Sequence, residues 1–202
     1  MFLWDATFKE TIGLRLESIR REAVVSFAAA STVHACGIFQ ALERQGEYKP
    51  YHKKLTSIIS DAATEAWRSV SADGSQSDLS AIEVRVLQLA HEDPKATRKK
   101  CNENRFLYSA LSCVRCAMGI DLGQNAAYAA RYAYEAVSSW FIATSRETPK
   151  FFTEIAAVLA VERTVVQCVE EIKFQERCLS YLEESVGAIV PPLSNLIQLI
   201  TH

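Results

Sequence analysis

Residues that interrupt helices are scarce in this chain. Seven glycines and five prolines in 202 residues are about half the usual share. So few breakers favour long uninterrupted segments over many short strands. An excess of charge is also missing: 22 Lys and Arg stand against 24 Asp and Glu, a formal net charge of −2. A nucleic-acid-binding domain carries a basic footprint. Here the basic residues concentrate only at Lys95, Arg98, Lys99, Lys100 and Arg105, and a block of like charge ordinarily faces water. No nucleic acid is expected as a partner. Catalytic signatures are missing as well. There is no G-x-S-x-G, P-loop or G-x-G-x-x-G. His34, His52, His91 and His202 form neither H-x-x-x-H nor H-E-x-x-H, and the Glu-x-x-His required by two-metal helical bundles does not occur. The sequence therefore predicts no catalytic residue, no metal and no cofactor.

What is present is an ordinary globular composition, 49% hydrophobic and 23% charged, enough apolar surface to offset the entropy of ordering a chain. Cys36, Cys101, Cys113, Cys116, Cys168 and Cys178 are scattered, mostly among apolar neighbours, where cysteine acts as a small hydrophobe. Residues before Glu22 lack the basic, apolar and small-residue succession of a secretory signal. Free thiols in a reducing cytoplasm are expected. Ala23 to Leu42 is 20 residues without a formal charge, long enough to span a bilayer. Ser26, Ser31, Thr32, His34 and Gln40 would each add insertion cost, and a buried central helix fits better than a membrane span.

The periodicity predicts about seven helices in one all-α domain, with a core over about 7–185 and a short apolar tail over 186–202. Thr7 and Glu10 form a capping box that opens the first helix. The second, about 22–45, is apolar all round and is expected at the centre. The third follows Lys49-Pro50 with a stripe of Leu55, Ile58, Ile59, Ala62, Ala66 and Trp67. The fourth turns Ile82, Val86, Leu87 and Leu89 inward and ends before Asp93-Pro94. The fifth runs over 102–118 to Gly119, and the sixth, rich in alanine, over 123–145. Thr148-Pro149 is a strong start signal for a seventh helix reaching about 185, some 55 Å long. Its apolar stripe reads Phe151, Ile155, Val158, Val165, Val169, Ile172, Leu179.

Several groupings could carry function. Cys113-x-x-Cys116 falls in mid-helix with no strand before it, so it reads as core packing and not as a redox pair. Glu162 and Glu176 lie on or beside the stripe of the last long helix, either in a polar pocket or at the edge of the stripe. Tyr128, Arg131, Tyr132 and Trp140 cluster on the sixth helix, and aromatics with arginine are enriched at binding hot spots.

The run Glu170-Glu171-Ile172-Lys173-Phe174-Gln175, followed by Leu179 and Leu182, resembles the E-E-I-x-F-Q segment of the YjaG-like family of bacterial helical proteins. Leu16 to Phe39 is similar to that family's opening helices, and Tyr108 to Ala117 to its middle helix. The basic stretch Glu47–Lys54 and the tail from Val186 depart from the pattern. The resemblance implies an all-α cytoplasmic protein and supplies no substrate. Glu171 and Gln175, four apart, either fix helix register or line a site. With no catalytic constellation and a mildly acidic balance, the expected function is to mask a partner protein, as an immunity protein masks a toxin. The expected contact residues are Glu170, Glu171, Gln175, Glu183, Glu184, Tyr128, Arg131 and Tyr132, with the tail as an apolar anchor. The alternatives are an enzyme built from separated polar residues such as Glu162, Glu171 and Gln175, or a homo-oligomer.

Overall fold

The computed structural model describes residues 9–39, 50–71, 78–91, 98–146, 154–185 and 191–201. Among them the chain forms eight helices and no strand: α1 (Lys9–Ser18), α2 (Arg21–Ala35), α3 (Pro50–Arg68), α4 (Leu79–His91), α5 (Arg98–Ala117), α6 (Leu122–Arg146), α7 (Glu154–Glu184) and α8 (Leu193–Thr201). The expected all-α bundle is present. The capping box at Thr7 and the start signal at Thr148-Pro149 lie outside the described residues.

Local chemistry explains the boundaries. Pro50 opens α3, where its missing N–H has no partner to lose. The Asp78 side chain accepts the Ala81 N–H at 3.0 Å and caps α4. Helix α5 ends in a Schellman turn: Ile120 N–H donates to Arg115 O and Gly119 N–H to Cys116 O, both at 3.0 Å, with Gly119 at φ +80°. The sequence places one unbroken helix over 22–45. Instead, α2 tightens at Cys36, whose N–H bonds back to Val33 O at 2.9 Å, before further helical residues at 37–39. Gly37, a weak helix former, stands at that step.

Helix α2 is the hub. It packs against α3, α5, α6, α7 and α8, and every residue from Ala23 to Thr32 is buried. The segment Arg21–Phe39 is long and apolar enough to cross a membrane, and 72% of its most apolar window is buried by protein. Two apolar clusters meet along it. One joins Ile12 and Leu16 of α1 to Phe27, to alanines of α2 and α6, to Phe174 and Leu179 of α7, and to Leu196 and Ile200 of α8. The other joins Phe39 to Leu55 and Ile59 of α3, Val86 of α4 and Phe106 and Leu107 of α5. The buried residues that α2 and α6 bring to the first cluster include Ala28, Ala29 and Ala30 and Ala126, Ala129 and Ala130. Such small side chains let backbones approach closely.

Two expectations are corrected. Residues 191–201 are not a free tail, because Leu196 and Ile200 are buried in the core and the Trp67 indole N–H donates to Pro191 O at 3.2 Å. Leu196 and Ile200 are therefore not available as an exposed anchor, whereas Leu199 remains 58% exposed. Of the stripe predicted for α7, the side chains of Phe151, Ile155, Val158 and Val165 lie outside the described residues; over 168–182 the inward face keeps Leu179 but is turned from Val169 and Ile172. It carries Cys168, Glu171, Phe174, Gln175, Cys178, Leu179 and Leu182, and leaves Val169 and Ile172 only partly buried. An apolar count cannot place a glutamate and a glutamine inward; the partners that satisfy them do.

Ala29 is fully buried, so Ala29→Leu should overpack the α2 seam and cost about 1–3 kcal/mol. Urea denaturation of the variant measures this; an unchanged midpoint would mean that the seam has room.

Candidate functional site

The most specific motif in the sequence converges on one histidine. The His34 imidazole of α2 stacks on the Phe174 ring, with centroids 3.7 Å apart and planes 4° from parallel. Its Nδ1 lies 2.7 Å from Glu171 Oε2. Glu171 Oε1 accepts from Gln175 Nε2 at 3.0 Å, and the same Nε2 donates to Ala130 O on α6 at 2.9 Å. The side chains of Glu171 and Gln175 are 2% and 0% exposed, that of His34 28%. An ionised carboxylate only accepts hydrogen bonds, so with Glu171 ionised the Nδ1 atom carries the proton. The inward residues of Glu170–Gln175 thus hold one imidazole and tie α2, α6 and α7 together.

The thiols near this network are poor nucleophiles. Burial, with a smaller contribution from the Glu171 charge, pushes the Cys36 thiol from an ordinary 9.0 up to about 12. Burial raises Cys116 to about 12 although Arg21 pulls it back. Cys113, Cys168 and Cys178 are raised by the same cause. All five are free and buried, so Cys113 and Cys116 are core packing. Among the described residues, no three His, Cys, Asp or Glu side chains group closely enough to hold a metal ion.

The surface site is a cleft of about 600 Å³ over the α5–α6 pair. Tyr108, Leu111, Ser112 and Arg115 line it from α5, and Gln124, Asn125, Tyr128 and Tyr132 from α6. The α5–α6 turn contributes Ile120 and Asp121, and α4 contributes Glu83. The Tyr132 ring lies 5.5 Å from Tyr108 and 6.1 Å from Tyr128, tilted against both. Gln124 Nε2 donates to the Tyr128 hydroxyl at 3.0 Å, and Arg115 Nε donates to Glu83 Oε1 at 2.7 Å. The turn is held by Asn125, whose Nδ2 donates to Ile120 O at 2.7 Å and whose N–H bonds to Asp121 O at 2.8 Å. Asp121 sits there at φ +38°, a region that aspartate tolerates better than most residues.

The crystal structure of a DUF416 family protein from Shewanella baltica has this fold. It superposes with a TM-score of 0.61 over 94% of this chain and 92% of that one, at 14% sequence identity. Identity that low shows a shared fold and nothing finer. No family model and no curated protein matches the sequence.

The structure separates the eight expected contact residues. Glu171 and Gln175 are interior, bonded to each other and away from any surface a partner could cover. Glu183 is committed to α1, accepting Arg15 Nε at 2.7 Å and Arg15 Nη2 at 2.6 Å, and this pairing raises the Arg15 pKa. It is not a free steering charge. Glu170 is exposed and accepts from Lys173 at 2.9 Å, which lowers its pKa. Glu184 and Glu176 are exposed. Tyr128 and Tyr132 stand in the cleft, whereas Arg131 is half-buried beside it with its Nε donating to Glu135 at 2.8 Å. The side chains of Glu162 and Trp140 lie outside the described residues. Sequence reasoning missed Tyr108 and Asp121. The i, i+4 pair Tyr128 and Tyr132 marks the α6 wall, but the opposite wall needs the pairing of α5 with α6.

His34→Ala removes the donor to a buried carboxylate and should cost about 1–3 kcal/mol in denaturant unfolding. If stability is unchanged, the network does not hold the three helices. Folding raises the Cys36 and Cys116 pKa values above 9.0, so their contribution to stability is complete below about pH 9 and lost as pH climbs towards 12. Unfolding free energy should therefore decline across that alkaline window, and a thiol-specific reagent at neutral pH should modify these sites in the native protein far more slowly than after denaturation.

Proposed function

We propose that this chain is a cytoplasmic binding protein that covers a partner protein through the tyrosine cleft, in the manner of an immunity protein masking a toxin. The carrying observation is the make-up of the cleft: three tyrosines with Arg115, Asn125, Gln124 and Ser112 on the rigid α5–α6 pair. Tyrosine offers a large amphipathic contact at low entropic cost, and serine, asparagine and arginine add adaptable hydrogen bonding, the combination that dominates protein-recognition surfaces. Tyr108 and Ile120 are 42% and 43% exposed, which leaves apolar area for a partner to bury. Kinship with the YjaG-like proteins, carried by Glu170–Gln175, belongs to the same proposal.

One observation favours an enzyme instead. An imidazole held by a buried carboxylate, as His34 is by Glu171, is the arrangement of an oriented general base. Turnover of a small molecule that is abolished by Glu171→Gln, with the fold intact, would establish it.

A photoreactive residue replacing Tyr132 and activated in the native host should give one discrete adduct with a different protein. The same residue at Leu14, which is 68% exposed on α1, should give none. An adduct between two copies of the chain would favour the oligomer, and no adduct at Tyr132 would reject the cleft as the binding surface.

A further inference from the structure

We infer that the tyrosine cleft takes a cationic side chain, a lysine or an arginine presented by the partner protein. The inference rests on the partner-binding function proposed above. Charge complementarity carries it. Two groups of opposite sign in the cleft cancel: Arg115 Nε donates to Glu83 Oε1 at 2.7 Å. The third charged group is Asp121, which is exposed and whose carboxylate has no ion-pair or hydrogen-bond partner among the described residues. Among the described residues, the uncompensated charge of the cleft is therefore negative. It sits on a turn whose backbone is held, because Asn125 bonds to the carbonyls of both Ile120 and Asp121, so the residue that carries the carboxylate is positioned at the rim of the cleft.

The tyrosines point to the same ligand. Tyr108, Tyr128 and Tyr132 form a contiguous aromatic wall, and the negative face of a phenol ring attracts an organic cation within about 6 Å of its centre. The stem of a lysine or arginine is apolar and can lie along such rings while its head stays polar. An anionic group would meet Asp121 and the ring faces with the wrong sign. A neutral apolar group would leave Asp121 under the partner without a counter-charge, which costs affinity. The whole chain carries a net charge of −2, which does not oppose the approach of a basic partner.

The test uses the full chain and two short capped peptides, Gly-Arg-Gly and its uncharged counterpart with citrulline in place of arginine. Backbone-amide chemical shifts report the binding site. Expected is a saturable response confined to the α5–α6 turn and the tyrosine wall, with the arginine peptide roughly three- to fivefold tighter than the citrulline peptide. Asp121→Asn keeps a residue that tolerates positive φ and should reduce that difference, leaving only what the tyrosine faces supply. Tyr132→Leu should weaken the arginine peptide by roughly tenfold. Equal binding of the two peptides, shifts located elsewhere, or no response at millimolar peptide would overturn the inference. The Tyr132 photo-adduct does not depend on a cation, so it reports separately on whether a partner occupies the cleft.

Discussion

A single buried carboxylate determines how three helices can be arranged. Glu171 has almost no exposure, and an unpaired charge in that position costs several kcal/mol. It is tolerable because His34 from α2 and Gln175 from its own helix both reach it, and Gln175 extends the connection to the Ala130 carbonyl of α6. Apolar contacts between alanine-rich helices are nearly indifferent to small rotations and slides. This network is not, because a register shift of one residue would leave a charge in the core without a donor. Apolar burial supplies the drive to collapse, and the polar network selects one arrangement among several that bury similar area.

The same division appears between the inside and the outside of the bundle. Inside, polar groups are paired between helices, including the Thr32 and Ser109 hydroxyls, 2.9 Å apart, and the bond from Ser109 to Ala129 O at 2.8 Å, while the buried Ser26 and Ser31 hydroxyls have no partner among the described residues. On the outer side of α5 and α6, polar groups line a concavity. The two regions share α6, whose Ala130 carbonyl serves the network while Tyr128 and Tyr132 serve the cleft. Rigidity on the inner side of that helix supports the geometry of its outer side.

Much of this fold was legible from residue order. Pro50, Gly119 and the apolar stripes of α3 and α4 locate real boundaries and faces, because those signals act within one or two turns. The orientation of α7 was not legible, since an apolar stripe assumes that polar residues face water, and of the two partners that hold Glu171 inward His34 stands 137 positions away on α2. The docking of 191–201 was hidden for a similar reason: its short length says nothing of the surface that receives it. For the candidate site, the sequence supplied Tyr128 and Tyr132, neighbours on one helix, and missed Tyr108 and Asp121, which join them only through the α5–α6 pairing and the positive-φ turn.

The position of α2 in the chain has a consequence for biosynthesis. Its covering helices α5, α6 and α7 begin at Arg98, Leu122 and Glu154, long after the apolar stretch Arg21–Phe39 has left the ribosome. At cellular elongation rates of about 5–20 residues per second, the most apolar helix of the protein waits roughly 5–20 s for α6 to follow it. During that interval it has the length and composition of a membrane-spanning segment, and of the helices that cover it only α3 and then α5 have been made. The order of the helices along the sequence thus separates the synthesis of the most apolar helix from that of most of the surface that buries it.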